Sequence, residues 1–260
     1  MEAFDRLTAA RAKGRPTGLS YVRQVFEGFV EMHGDRRFGD DKAIVAGIAR
    51  LNGIPVTVIA HEKGSDTKDK VRRNFGSAHP EGYRKALRQM KLAEKFGRPV
   101  ICFVDTAGAY CGISAEERGE GQSIAENLME MMTLRTPVIS VFIGEGGSGG
   151  ALALAVSDEV WMLENAVYSV ISPEGCASIL WKDSSKVKEA AQCLKITAQD
   201  LKSMDVIERI IPEPEDFESL CGDLKTMLSR FIAEKLPEDR EKLLQQRYER
   251  FRKFGAFPSK

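Results

Sequence analysis

The chain has 260 residues, 43% of them hydrophobic and 29% charged, which suits one large α/β domain or two small ones. Thirty-eight basic residues cancel 38 acidic ones, so charge gives no reason to expect nucleic acid, and no apolar run approaches a membrane span. Met1–Lys13 is charged and lacks the apolar run of a secretory signal, so the expected compartment is the cytoplasm.

In chain order, residues 2–13 and 19–33 read as helices. Leu19, Val22, Phe26, Phe29 and Val30 form one stripe of the second, with Ser20 as its candidate cap. Ala43–Leu51 and Ile54–Ala60 read as strands, and Asn52-Gly53 between them signals a hairpin. A polar, basic loop spans 61–79. Glu81–Phe96 reads as a helix, with Pro80 before it and Gly97 after it. Val100–Val104 is a strand, 105–115 a loop, Glu116–Leu134 a helix and Val138–Ile143 a strand. A glycine loop then leads into the helix-forming run Ala151–Val156, and Glu159–Leu163 and Val167–Ile171 are strands. Beyond residue 172 the pattern is mostly helical, with one short strand at Val206–Ile211 and a charged helical tail at Phe217–Phe254. This predicts one α/β layer, a core at 41–212, between an N-terminal helical segment at 1–40 and a C-terminal charged helical segment at 213–260.

The glycine loop, Gly144–Gly150, holds five glycines in seven positions at a strand-to-helix junction. Backbone N–H groups uncovered by side chains suit an anion or a developing oxyanion. Gly144-Glu-Gly146-Gly-Ser-Gly149 also fits the dinucleotide pattern Gly-x-Gly-x-x-Gly, with Glu164 where a ribose ligand would sit. That pattern usually opens its fold, whereas two strand–helix units precede it here. Close packing alone is a third reading. A second strand-end loop, Asp105–Gly112, is placed to line the same pocket, with a buried structural Asp105 as its bland alternative.

The 61–76 segment carries Lys63, Lys68, Lys70, Arg72 and Arg73, candidates for phosphate or an acidic partner, although Glu62, Asp66 and Asp69 dilute them. The cysteines Cys102, Cys111, Cys176, Cys193 and Cys221 are widely spaced with no Cys-x-x-Cys, so neither a disulfide frame nor a metal site is expected. Cys176 reads as a small structural residue. His33, His61 and His79 show no metal spacing.

Ser169–Lys182, Gly144–Gly150, Arg72–Gly76, Pro80–Ala86, His33–Arg36 and Phe38–Asp41 together resemble the carboxyltransferase α subunit of bacterial acetyl-CoA carboxylase, over roughly residues 4–254. The resemblance implies a crotonase-like spiral of ββα units with helical N- and C-terminal elaborations. It implies transfer of a carboxyl group from carboxybiotin, held on a biotin carboxyl carrier protein, to acetyl-CoA, giving malonyl-CoA. It implies a β subunit that bears a zinc ribbon and most of the CoA site, in an α2β2 assembly. Carried onto this chain, it makes the N–H groups of Gly146 and Gly147 the donors to the biotin ureido oxygen. Gly108, Ala109, Tyr110, Ser148, Gly149 and Gly150 would line the biotin pocket, and Lys63, Arg72 and Arg73 would meet CoA phosphates or the partner.

Two residues depart from the family pattern: Ala107 and Cys111 stand where prolines are usual. The chain's N-terminal helical extension also reads as short. Two rivals stay open. An acyl-CoA hydratase or isomerase of the same fold would use two glutamates. Glu174 fills the second place, but the first falls near Leu152, which carries no acid. A scaffold subunit without chemistry is the other rival.

Overall fold

The computed structural model describes residues 1–255; the last five residues of the expected 213–260 segment lie outside it. Helices α1 (Ala3–Ala10) and α2 (Gly18–Val25) precede the edge strand β1 (Glu27–Glu31). Strands β2 (Ile44–Leu51) and β3 (Ile54–His61) then form the expected hairpin, in register from Ile44 opposite His61 to Leu51 opposite Ile54. Asn52 at φ +49° and Gly53 at φ +81° make its tight turn, which needs positive φ at both central residues.

Next come α3 (Thr67–Arg72), α4 (Pro80–Phe96), β4 (Val100–Thr106), α5 (Ile113–Glu117), α6 (Glu120–Thr133), β5 (Val138–Gly147) and α7 (Ser148–Leu152). The chain continues through β6 (Glu159–Leu163), β7 (Val167–Ser169), α8 (Pro173–Leu180), α9 (Val187–Cys193), α10 (Ala198–Ser203), β8 (Arg209–Ile211), α11 (Phe217–Lys235) and α12 (Arg240–Arg252). The sheet runs β1-β2-β3-β4-β5-β6-β8, with β7 pairing separately with β5. From β3 onward the pairs are parallel, and β4 is buried along its whole length.

Helix α4 starts with Pro80 in its first turn and stops at Gly97, φ +66°. It buries Tyr83, Ala86, Met90 and Ala93, the i, i+3, i+4 spacing of one helical face. On the opposite side of the layer, Tyr21 of α2 stacks on Phe103 of β4 and meets Phe217 of α11 edge-on. Strands and covering helices share one hydrophobic cluster.

Several expected boundaries move. The predicted helix over 19–33 ends at Val25, because Gly28 sits at φ +60° and β1 completes the free edge of β2. Thr17 is that helix's N-cap; Ser20 acts from its third position, accepting from the Thr17 amide at 3.3 Å. The basic loop contains α3, capped by Asp66, whose carboxylate accepts from the Asp69 amide at 2.9 Å. The helix expected over 116–134 is broken by Gly119 at φ +80°. The charged tail breaks between α11 and α12, around Pro237. The expected strands at 167–171 and 206–211 shorten to β7 and β8.

Candidate functional site

The site lies at the carboxyl ends of β4 and β5, where an open α/β sheet places ligands. β5 runs four residues further than its apolar run suggests, through Gly144–Gly147. That extension gives β7 its partner, with Glu145, Gly146 and Gly147 opposite Val167, Tyr168 and Ser169. Gly146 also lies opposite Thr106 of β4, so strands flank it on both sides. It is buried, as is Gly150, while Gly147, Ser148 and Gly149 reach the surface.

Close approach explains why these positions are glycine. A Cβ on Gly147 would lie 2.0 Å from the Ala107 carbonyl oxygen, and one on Gly150 would lie 2.6 Å from the Ala109 amide nitrogen. A Cβ on Gly146 would lie 2.2 Å from the Phe142 ring, and one on Gly144 would enter the Asp105 carboxylate at 2.2 Å. The two strand-end loops are therefore interlocked, backbone against backbone. The glycine segment at the end of β5, Gly144–Gly147, is a bare ledge, and the helix after it is shorter and earlier than expected. α7 covers only Ser148–Leu152, so any donors are the turn's own amides more than a helix dipole. Ser148 adopts φ +46°, a left-handed conformation that costs a non-glycine residue about 1–2 kcal/mol.

The facing loop is held from several sides. The Gly108 amide donates to Thr106 Oγ1 at 3.1 Å, and the Tyr110 amide donates to the Ala78 carbonyl at 3.0 Å. The Tyr110 ring stacks on His79 at 4.1 Å between centroids. Asp41 accepts from the His79 amide and lies 3.1 Å from His79 Nδ1, a contact that raises the His79 pKa. Beneath this wall, Glu120 is buried with neither carboxyl oxygen in a well-formed hydrogen bond; desolvation pushes its pKa up to about 7, with His79 and the nearby Tyr110 amide opposing the rise. The Tyr83 hydroxyl is likewise buried and unpartnered, 3.0 Å from where a Gly150 Cβ would stand.

The structure thus brings Ala107, Gly108 and Ala109 against Gly147 and Gly150, whereas Gly149 faces Ile124 and Tyr110 is held by Ala78 and His79. Lys63 joins them, as an ion pair to Asp105 at 2.6 Å and Glu145 at 3.5 Å. Arg72 and Arg73 both pair with Asp69, and Arg73 also donates to the Lys42 carbonyl at 2.8 Å. Arg11 is a site residue that the sequence does not announce. It donates to Glu145 at 2.7 Å and to Glu174 at 2.5 Å across 134 and 163 residues of chain.

The hydratase rival loses its remaining acid. Glu174 is tied to Arg11, which holds its pKa down, the wrong direction for a general acid. The dinucleotide pattern loses its context too: its glycines continue a strand, and Glu164 pairs with Arg6 at 3.0 Å. Among the described residues, no group of three or more His, Cys, Asp or Glu side chains is disposed to hold a metal. No helix among them is long and apolar enough to cross a membrane.

The profile of a family described as acetyl co-enzyme A carboxylase carboxyltransferase-like matches residues 1–255. A protein of Ruminiclostridium cellulolyticum, the acetyl-coenzyme A carboxylase carboxyl transferase subunit alpha, is 62% identical over 256 residues, covering 98% of each chain. A Clostridium tetani protein with the name subunits beta/alpha is 53% identical over 265 residues, covering all of this chain and 46% of its own. Among solved structures, a transcarboxylase 12S chain shares the fold with a TM-score of 0.73 at 17% identity, covering 89% of this chain and 45% of that one.

Proposed function

The chain belongs to the acetyl-CoA carboxylase carboxyltransferase family as an α subunit, and from that premise we propose that its glycine ledge stabilises the biotin ureido oxyanion during carboxyl transfer. The fold is the crotonase-like one of the carboxyltransferases. The reaction moves a carboxyl group from carboxybiotin to the methyl carbon of acetyl-CoA and yields malonyl-CoA, which feeds fatty acid synthesis.

The observation that carries the ledge reading is the interlock of the two strand-end loops. Gly147 can approach Ala107 this closely only without a side chain, and Gly147, Ser148 and Gly149 reach the surface beside that contact. The ledge amide is assigned to Gly147, with the enclosed Gly146 as second donor or as backing. Gly108, Ala109 and Tyr110 form the facing wall, and Ser148, Gly149 and Gly150 the near side. Each well-placed donor lowers the barrier by about 2.7–4 kcal/mol.

Partnership with a β subunit follows from relatives that carry β and α on one chain. The finer reading is an α2β2 assembly whose zinc-ribbon β subunit holds most of the CoA and the enolate, with biotin delivered by a carrier protein in the cytoplasm. Val170, Ile179 and Leu180 are exposed apolar residues on and beside α8, suited to cover by such a partner. Of Lys63, Arg72 and Arg73, Arg72, its side chain 52% exposed, is the one left to meet CoA phosphates or the partner. Lys63 and Arg73 are committed to contacts within the chain.

The test is acetyl-CoA-dependent malonyl-CoA formation. The purified chain alone should be inactive, and mixing it with a β subunit and carboxybiotinylated carrier protein should give turnover. Turnover by the chain alone, with no β subunit detectable by mass spectrometry, would contradict the reading, as would a silent mixture.

A further inference from the structure

A chain of ion pairs runs directly under the glycine ledge. Lys63 Nζ lies 2.6 Å from Asp105 Oδ1 and 3.5 Å from Glu145 Oε2. The same Asp105 oxygen accepts from the Glu145 amide at 2.9 Å. From the other side, Arg11 donates Nε and Nη2 to Glu145 Oε1 at 2.9 and 2.7 Å, and Nη1 to Glu174 Oε1 at 2.5 Å. The chain therefore ties the end of α1, the segment after β3, the end of β4, the ledge and the first turn of α8.

Its charges matter as much as its geometry. Three carboxylates meet two cations, and the side chains of Lys63, Asp105 and Glu145 are only 19%, 7% and 12% exposed. Solvent screens such partly buried charges weakly. Glu145 immediately precedes Gly146 and Gly147 in the chain. A carboxylate there opposes any oxyanion forming at the ledge unless a cation cancels it. Lys63 and Arg11 are the two cations that touch Glu145.

We propose that Lys63 and Arg11 are positioning residues for carboxyl transfer: they neutralise Glu145 and Asp105 and hold the glycine ledge against the 105–112 loop. The proposal rests on the ledge reading above. Neither residue touches the reacting atoms; both act through Asp105 and Glu145. Lys63 is thereby assigned to the oxyanion side of the reaction and not to CoA phosphates.

The experiment uses the complex assembled with the β subunit. Malonyl-CoA formation by the wild-type complex is measured first; an inactive wild-type complex would remove the underlying reading and this proposal with it. In an active complex, Lys63→Gln should lower kcat by about ten- to a hundredfold, the scale of a small misplacement at a reacting centre. KM for acetyl-CoA should hold, the mark of an interaction that acts on the transition state. Lys63→Arg should retain activity. The Lys63→Gln/Glu145→Gln double variant should recover part of the loss, because the carboxylate next to the ledge is gone while that of Asp105 remains; a purely structural role predicts a further fall. Wild-type kcat in an assembled Lys63→Gln complex, or a double variant below the single, overturns the proposal. Should Lys63→Gln fail to assemble, Arg11→Gln carries the same test from a more exposed position. Lowered kcat, recovered by Glu145→Gln, supports the proposal, and wild-type kcat or a lower double variant overturns it.

Discussion

Arg247 of the last helix grips Asp158 of the turn before β6 with two hydrogen bonds, Nε to Oδ1 at 2.8 Å and Nη2 to Oδ2 at 2.9 Å, and the arginine is fully buried. The same guanidinium donates to the carbonyls of Met131, Leu134 and Thr136 at 2.7–3.1 Å. Asp158 in turn accepts from the Val138 amide at the start of β5, at 2.7 Å. The charged tail is thus a clasp on the strand that carries the ledge. Removing one partner of a buried, hydrogen-bonded ion pair leaves the other uncompensated. Arg247→Ala should therefore destabilise the chain by about 3–5 kcal/mol, read as a lowered urea midpoint. A loss under about 1 kcal/mol, the scale of a surface pair, would contradict the clasp.

Glu120 makes stability depend on pH near neutrality. Burial raises its pKa from 4.5 to about 7, with Asp41 and Glu81 adding to the rise and His79 opposing it. The folded state therefore holds a proton that the unfolded chain releases. The contribution is complete below the unfolded pKa and is lost as pH climbs through the folded one. His79, also raised, has the same sign, so both groups make the protein less stable on the alkaline side. Glu120→Gln should leave a shallower decline in melting temperature between about pH 5 and pH 8, with the His79 part remaining. An unaltered slope would show that Glu120 does not titrate in this range.

Arg72 and Arg73 should separate, though they are neighbours in sequence. Arg72 is half exposed and pairs with Asp69 alone, whereas Arg73 is largely buried and reaches the Lys42 carbonyl. Arg72→Ala should raise KM for acetyl-CoA or weaken assembly with the β subunit, and the effect should shrink at high salt. Arg73→Ala should lower the melting temperature. Wild-type KM and assembly for Arg72→Ala at low salt would end the proposed role.

The parts legible in the sequence are those written in local chemistry. Asn52-Gly53 marked the hairpin, Pro80 and Gly97 bracketed α4, and the glycine composition marked the ledge. The structure departs from the local pattern where tertiary pairing overrides it. Phe26, Phe29 and Val30 sit at helical spacing, yet 27–31 completes the open edge of β2. Gly144–Gly147 read as loop, yet β7 captures them as strand. The ion-pair chain was invisible because Arg11 meets Glu145 and Glu174 across most of the chain. The reaction itself came from resemblance: glycines and carboxylates alone indicate an anion, not which anion.

On the proposed reading, the Gly147 backbone stabilises negative charge in the transition state. A Cβ there would lie 2.0 Å from the Ala107 carbonyl oxygen, so even alanine must push the ledge off its wall. The direct measurement is steady-state malonyl-CoA formation by the β-subunit complex carrying Gly147→Ala, with circular dichroism and assembly checked alongside. With fold and assembly intact, kcat should fall by about two to three orders of magnitude, the scale of one lost oxyanion donor, while KM for acetyl-CoA holds. Near-wild-type kcat in a folded, assembled Gly147→Ala complex would contradict that role and remove the oxyanion from this loop.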